Sequence, residues 1–242
     1  MTSVVYNEDY RNQIHSFSDN QFDIAVCDIP YGKDVANMPY LKEVNTTVKQ
    51  KNGTRLNGNK NKIPYTSKDW DKEVPGQEYF DELCRISKHQ IIFGIEYVKW
   101  NGVGAGRIKW DKGVADGMSF SRYEVAYCSF IDNEIIVPLL WSGMCQAKSL
   151  KEPMTQQGNK KLNEKRIHPT HKPVLIYDWM YREFGKEGMW VIDTHLGGGS
   201  NRISAYKSGI NFIGFEIDRE YFEKEEKRFH SFISQLTFQY DN

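Results

Sequence analysis

The chain has 242 residues, 39% hydrophobic and 26% charged, with 32 basic residues against 32 acidic ones and a formal net charge of zero. This composition excludes a wholly disordered chain, and no run approaches the ~18 apolar residues that a bilayer crossing needs. The N-terminus has no basic segment followed by an apolar run, so a cytoplasmic protein is expected.

In chain order, strands are predicted near 3–6 and 22–27. The second is the apolar run Phe22-Asp23-Ile24-Ala25-Val26-Cys27, and it leads directly into Asp28-Ile29-Pro30-Tyr31. Pro30 holds φ near −65° and cannot continue a ladder, which makes a rigid turn at the strand's carboxyl end, the edge where open α/β sheets bind ligands. A carboxylate and the Ile29 carbonyl can both accept hydrogen bonds from one exocyclic NH2, and Tyr31 can stack on the ring that bears it.

Residues 41–68 follow, with Lys42, Lys49, Lys51, Arg55, Lys60, Lys62 and Lys68 against the single acid Glu43, rich in Asn, Gly and Thr. Without apolar periodicity, the stretch is expected to be a loop suited to clamping phosphates. A helix near 77–87 and strands near 90–95 and 123–130 come next. Ile135 to Trp141 is expected to be an edge strand, because Pro138 disfavours a central place. A second basic stretch holds Lys148, Lys151, Lys160, Lys161, Lys165 and Arg166 with Gln and Asn between them, amides able to read adenine edges.

After a helix near 173–184, Met189 to Asp193 reads as a buried strand, followed by Thr194-His195-Leu196-Gly197-Gly198-Gly199-Ser200 and a helix near 200–208. A strand, a glycine turn and a helix let a ligand approach helix-start amides closely. The strand near 211–216 ends in Glu216, placed to reach ribose hydroxyls. Arg202 stands where the dinucleotide fingerprint needs its third glycine, so a nucleoside without pyrophosphate fits better; Asp193 suits a ligand with an ammonium group. The last helix, near 219–235, carries Tyr221, Phe222, Phe229 and Phe232 at core-facing spacings.

Cys27, Cys84, Cys128 and Cys145 are widely separated and read as reduced thiols. No metal site is expected: His168 and His171 have a ligand-like spacing but no further Cys or His cluster.

These motifs point to a family. Asp28-Ile29-Pro30-Tyr31 resembles the Asp-Pro-Pro-Tyr motif of amino-group DNA methyltransferases, and Asp193 to Gly199 resembles their Asp-x-Phe-x-Gly-x-Gly cofactor motif. His168-Pro169-Thr170-His171-Lys172-Pro173 resembles their His-Pro-Thr-Gln-Lys-Pro segment, and Gly214 to Asp218 their ribose-binding strand. Ile91 to Gly94, Ile108 to Lys112 and Phe120 to Tyr127 are also similar to family segments. The departures are Ile29 for the first proline, His195 for phenylalanine and His171 for glutamine.

The resemblance implies a Rossmann-like S-adenosylmethionine-dependent methyltransferase fold, with a mostly parallel sheet and helices on both faces. Because the catalytic motif precedes the cofactor motif, it implies one domain of the permuted β class, with a catalytic half at 1–131, a target recognition region at 132–167 and a cofactor half at 168–242. The site it implies has Asp28, Ile29, Pro30 and Tyr31 as catalytic residues. The cofactor is S-adenosylmethionine, bound by Asp9, Asp28, His171, Lys172, Pro173, Asp193, His195, Gly197, Gly199, Ser200 and Glu216. Double-stranded DNA is the implied partner, contacted by Lys49, Lys51, Arg55, Lys60, Lys62, Lys148, Lys160, Lys161 and Arg166, with a homodimer as a further implication. Transfer to adenine N6 is the expected reaction. Cytosine N4, an RNA substrate and a catalytically silent DNA-binding relative stay open as alternatives.

Overall fold

The computed structural model describes residues 1–34, 47–49, 55–57, 71–115 and 121–240. Eight strands form one sheet: β1 Ser3–Tyr6, β2 Phe22–Asp28, β5 Ser87–Phe93, β6 Arg107–Asp111, β7 Tyr123–Cys128, β8 Glu134–Pro138, β11 Trp190–Asp193 and β12 Asn211–Phe215. Two small pairs lie outside it, β3 Thr47–Lys49 with β4 Arg55–Asn57, and β9 Trp141–Ser142 with β10 Cys145–Gln146. The helices are α1 Gln77–Ile86, α2 Val174–Phe184, α3 Ser200–Lys207 and α4 Arg219–Tyr240.

The sheet order is β1-β12-β11-β2-β5-β7-β6-β8, and only β7 runs against its neighbours. From β11 the chain passes through α3 to β12 on one side, and from β2 through α1 to β5 on the other. The carboxyl ends of β11 and β2 therefore flank the switch point, where such sheets open a ligand crevice.

The central strands are apolar on both faces because both faces are covered. Ile24 and Val26 of β2 pack with Ile176 and Met180 of α2 and Ala205 of α3, while Ala25 and Cys27 face Phe80, Leu83 and Ile86 of α1. Of the four aromatics expected to face the core from α4, Tyr221 and Phe229 are buried at 1% and 3% exposure, while Phe222 and Phe232 are half-buried. Cys27 and Cys128 are core thiols, but Cys84 is exposed on α1.

β6 was not expected as a strand. Its Arg107-Ile108-Lys109-Trp110-Asp111 alternates, with Ile108 and Trp110 fully buried, and a period-two reading would have found it. β8 is the edge strand that the proline indicated, and Pro138 closes it. Because β8 belongs to the main sheet, only the part of 132–167 beyond it stands outside the eight strands. The expected loop at 41–68 contains the short antiparallel pair β3 and β4, with Lys49 and Arg55 on its backbone; Lys51, Lys60 and Lys62 lie outside the described residues.

α3 is polar in sequence yet mostly buried, because its side chains are paired. Asn201 Nδ2 donates to the Val26 carbonyl (2.9 Å) and to Asp193 (2.8 Å), tying β2 to β11 at the crevice, and Ser204 donates to Asp178 at 2.7 Å. Gly199 has φ +69°, and a Cβ there would lie 2.2 Å from Glu225 of α4. That glycine serves helix packing.

Candidate active site

A cavity of about 850 Å³ opens at the switch point, within the range of small-molecule sites. One wall is the Asp28 turn, another the glycine turn after β11, and a third the segment from Asp9 through Tyr10 to Ile14. Asp9, Asp28, Ile29, Pro30, Tyr31, His171, Lys172, His195, Gly197, Ser200 and Glu216 all line it. Pro173 instead precedes α2 as its cap, Gly199 turns toward α4, and Asp193 is buried beneath the turn at 2% exposure, so none of the three lines the cavity.

The Asp28 turn is held from several directions. Asp71, buried at 2% exposure, accepts from the amides of Tyr31 (2.8 Å) and Gly32 (3.2 Å). Gly94 has φ +83° after β5, and a Cβ there would fall 2.3 Å from the Tyr31 ring. Tyr31 also packs on Tyr97 with ring centres 4.9 Å apart. The Tyr31 hydroxyl donates to Asp28 Oδ1 at 2.9 Å, and the Lys172 ammonium reaches the same oxygen at 2.5 Å. Among the described residues nothing donates to Asp28 Oδ2 or to the Ile29 carbonyl, and both residues line the cavity.

At the other wall, Asp193 accepts from the His195 amide (3.0 Å) and from Asn201, while Glu216 accepts from the amides of Gly197 and Asp218, both at 2.8 Å. Neither has a cationic side chain in ion-pair contact among the described residues; Asp193 lies beneath the cavity wall, and Glu216 lines it and keeps lone pairs for a ligand. Burial pushes their carboxyls up, Asp193 to about 7 and Glu216 to about 8. His195, in the place of the family's phenylalanine, packs on Tyr10 and Tyr79 at 5.0 and 5.7 Å between ring centres. Burial lowers it to about 3, so it is a neutral aromatic ring there. His171 Nε2 meets Ser200 Oγ at 3.1 Å, while its buried Nδ1 has no hydrogen-bond partner among the described residues.

Sequence reasoning did not single out Asp71, Tyr10 or Tyr79. Asp218 caps the start of α4 by accepting from the Glu220 amide at 3.0 Å, a role that an Asp just before a helix signals. Of the residues assigned to DNA, Lys148 pairs with Glu152 at 2.7 Å and Arg166 lies over the Trp141 ring at 4.3 Å. Lys160 and Lys161 are exposed on a 3₁₀ turn. Of the amides in that stretch, Gln157 Oε1 accepts from the Asn159 amide and Asn159 Oδ1 from the Lys161 amide, both at 3.1 Å.

The raised acids predict a pH dependence. Glu225 joins Asp193 and Glu216, raised by burial to about 7. The folded protein keeps protons on these three acids that the unfolded chain has released, so stability falls as pH rises through 7 and 8. His168, His171 and His195, lowered by burial to about 3, 4 and 3, act oppositely, but only below the ordinary histidine range near 6.5. The melting temperature is therefore expected to be nearly flat from about pH 5 to 6.5 and to fall from about 6.5 to 8. A thermal-shift series checks this, and a rise over the upper interval contradicts it.

The α/β sheet has its cavity at the switch point, with an Asp-Ile-Pro-Tyr turn on one wall and a glycine turn and Glu216 on the other, which is a Rossmann-like arrangement. The chain belongs to the N6/N4 DNA methylase family, whose model matches residues 41–227. It is 30% identical over 82 residues to the type II methyltransferase M2.DpnII of Streptococcus pneumoniae, a match covering 34% of this chain and 31% of that relative. In structure it is similar to the S-adenosylmethionine complex of M1.HpyAVI (TM-score 0.51, 16% identity, 94% of this chain and 100% of that one). It is likewise similar to the PvuII DNA methyltransferase, described as cytosine-N4-specific (TM-score 0.51, 11% identity, 95% and 86%). At these identities the two structures show the shared fold.

Proposed function

We propose that the protein is an S-adenosylmethionine-dependent DNA methyltransferase acting on the N6 amino group of an adenine turned out of the duplex. One observation carries the proposal: Asp28 Oδ2 and the Ile29 carbonyl are two open acceptors on a cavity shared with the glycine turn. The M1.HpyAVI complex supports the choice of cofactor. So does Glu216, a buried acid on the cavity wall without an ion-paired cation, which suits a ligand bearing hydroxyls.

When bound, S-adenosylmethionine would supply an electrophilic methyl group on a sulfonium, whose sulfur would keep the electron pair of the broken C–S bond and leave as a neutral thioether. The protein's work is placement. Extruding the base costs a few kcal/mol. Stacking on Tyr31 returns about 1–3 kcal/mol. Asp28 Oδ2 and the Ile29 carbonyl accept the two N–H bonds of the amino group and aim its lone pair into the cavity. As the nitrogen forms its bond to carbon it becomes positive, and the same acceptors stabilise that charge. One N–H proton then leaves, through Asp28 or to solvent, so no strong base is needed beforehand.

The order of the two motifs along the chain supports the permuted β class, with residues 139–167 as the target recognition region. Lys160, Lys161, Lys148 and Arg166 there, and Lys49, Lys51, Arg55, Lys60 and Lys62 after the catalytic turn, are the proposed phosphate contacts. Cytosine N4 is the second reading, because cytosine offers the same amino geometry and the PvuII enzyme shares the fold. Asp28 in place of that form's serine favours adenine.

The test is methyl transfer to unmethylated bacterial genomic DNA, followed by digestion and mass analysis of the nucleosides. N6-methyladenine is expected. N4-methylcytosine selects the second reading, and no methylated nucleoside from a protein that binds the cofactor overturns both.

A further inference from the structure

We propose that Lys112 and Glu124, which belong to neither the catalytic turn nor the glycine turn, are positioning residues that act through Lys172 to hold Asp28 with one carboxylate oxygen presented to the base. This rests on the methyltransferase reading of the site. Four charged groups stand in a row of alternating sign. Lys172 Nζ contacts Asp28 Oδ1 at 2.5 Å and Glu124 Oε2 at 3.2 Å, and Lys112 Nζ contacts Glu124 Oε1 at 2.8 Å. Their side chains are 3% (Lys172), 11% (Lys112), 16% (Asp28) and 25% (Glu124) exposed.

The row spans the protein from the Asp28 turn to β7, which supplies Glu124, and to the residue after β6, Lys112. Lys172 lies over the Phe93 ring of β5 at 4.5 Å, so its head is fixed between two acids and an aromatic face. A set with no net charge tolerates a site that water largely leaves, which a lone carboxylate does not.

The placement on Asp28 indicates more than stabilisation. Both Lys172 and the Tyr31 hydroxyl, itself 3.0 Å from Lys172 Nζ, use Oδ1 and leave Oδ2 open. One oxygen is the handle and the other the working surface. The row also bears on the proton of Asp28. Burial raises its carboxyl, Lys172 lowers it and Glu124 raises it. Tyr177 of α2, which lines the cavity, and Asp193 at the end of β11, buried beneath its wall, also feel its charge. Lys112 and Glu124 sit in the family-like segments Ile108 to Lys112 and Phe120 to Tyr127, and the row gives those segments a role in the reaction.

Glu124→Gln keeps the size of the side chain and an acceptor oxygen, and removes one negative charge. The acid limb of its kcat–pH profile is expected to move to lower pH, because the anion that makes Asp28 harder to ionise is gone. Its plateau should fall ~10- to 100-fold as Lys172 loses its second anchor. Lys172→Met should move the limb to higher pH. Cofactor affinity should stay within about twofold in Glu124→Gln, because Glu124 does not line the cavity. A row that only stabilises the fold would lower activity through unfolding and leave the limb in place.

The ¹³C titration of the Asp28 carboxyl, assigned with Asp28→Asn, gives the same comparison without turnover. A downward shift in Glu124→Gln supports the inference; an unmoved limb and an unmoved carboxyl titration overturn it. If wild-type protein binds cofactor but methylates nothing, the reading of the site fails, and the carboxyl titration still decides whether the row controls Asp28.

Discussion

Asp28→Ala is expected to abolish methyl transfer, with a loss of about 10³-fold or more in the single-turnover rate, while cofactor affinity changes only a few-fold. The side chain provides one of the two open acceptors for the amino group, and its negative charge opposes the positive charge that grows on nitrogen. Removing a single preorganised partner of a developing charge typically costs 10²–10³ in rate, and the loss of aim adds to that. The fold should survive. Lys172 keeps Glu124 at 3.2 Å, so its ammonium is not left alone, and Asp71 still grips the turn through the Tyr31 and Gly32 amides. The opposite wall, with His195 and Glu216 and with Asp193 beneath it, makes its hydrogen bonds without the Asp28 side chain. Single-turnover transfer beside calorimetric cofactor binding separates the two effects. Near-normal turnover would sink the assignment of Asp28 to the reaction.

Arg202→Met should destabilise the protein by about 3–5 kcal/mol, the range for breaking a buried pair from one side. Arg202 is 4% exposed and donates to both oxygens of Glu225 (3.1 and 3.0 Å), to Glu226, and to Ser3 Oγ at 3.0 Å, with its guanidinium 3.7 Å from the centre of the Phe229 ring. It fastens α3 to α4 and to β1. Glu225 is 1% exposed and already pushed up to about 7, with burial the largest cause and Arg202 opposing it. Without Arg202 that carboxyl is expected to take up a proton near neutrality, so the loss should be smaller at pH 5.5 than at pH 8. A fall in Tm on the order of 10 °C near pH 8 follows for a chain of this size. Thermal melts at the two pH values check this, and a variant as stable as wild type at pH 8 would show that the pair contributes nothing.

Arg202 also shows how far local patterns reach. Its position breaks the dinucleotide glycine pattern, which is legible in the sequence and argues against a pyrophosphate. What the arginine does instead depends on Glu225 and Glu226, 23 and 24 residues away on another helix, and no periodicity reveals that pairing. The expectation that amides between 148 and 166 read bases has the same weakness. Composition shows that Gln and Asn are present but not that the Gln157 and Asn159 side-chain oxygens already accept from backbone amides.

By itself the sequence determined the two turns that make the site. Pro30 and the glycines from 197 to 199 restrict or free the backbone where they stand, and the apolar runs before them mark buried strands; both are local properties. The alternation of strands and helices likewise determined a mostly parallel sheet. Only the tertiary structure decided which charges meet. Tyr31 and Lys172 are 141 positions apart, and β6 and β7 bring Lys112 and Glu124 to Lys172 because of where they fall in the strand order. Contacts at such separation arise from the packing of whole elements, so the row behind Asp28 and the open oxygen it leaves became visible only once the sheet was assembled.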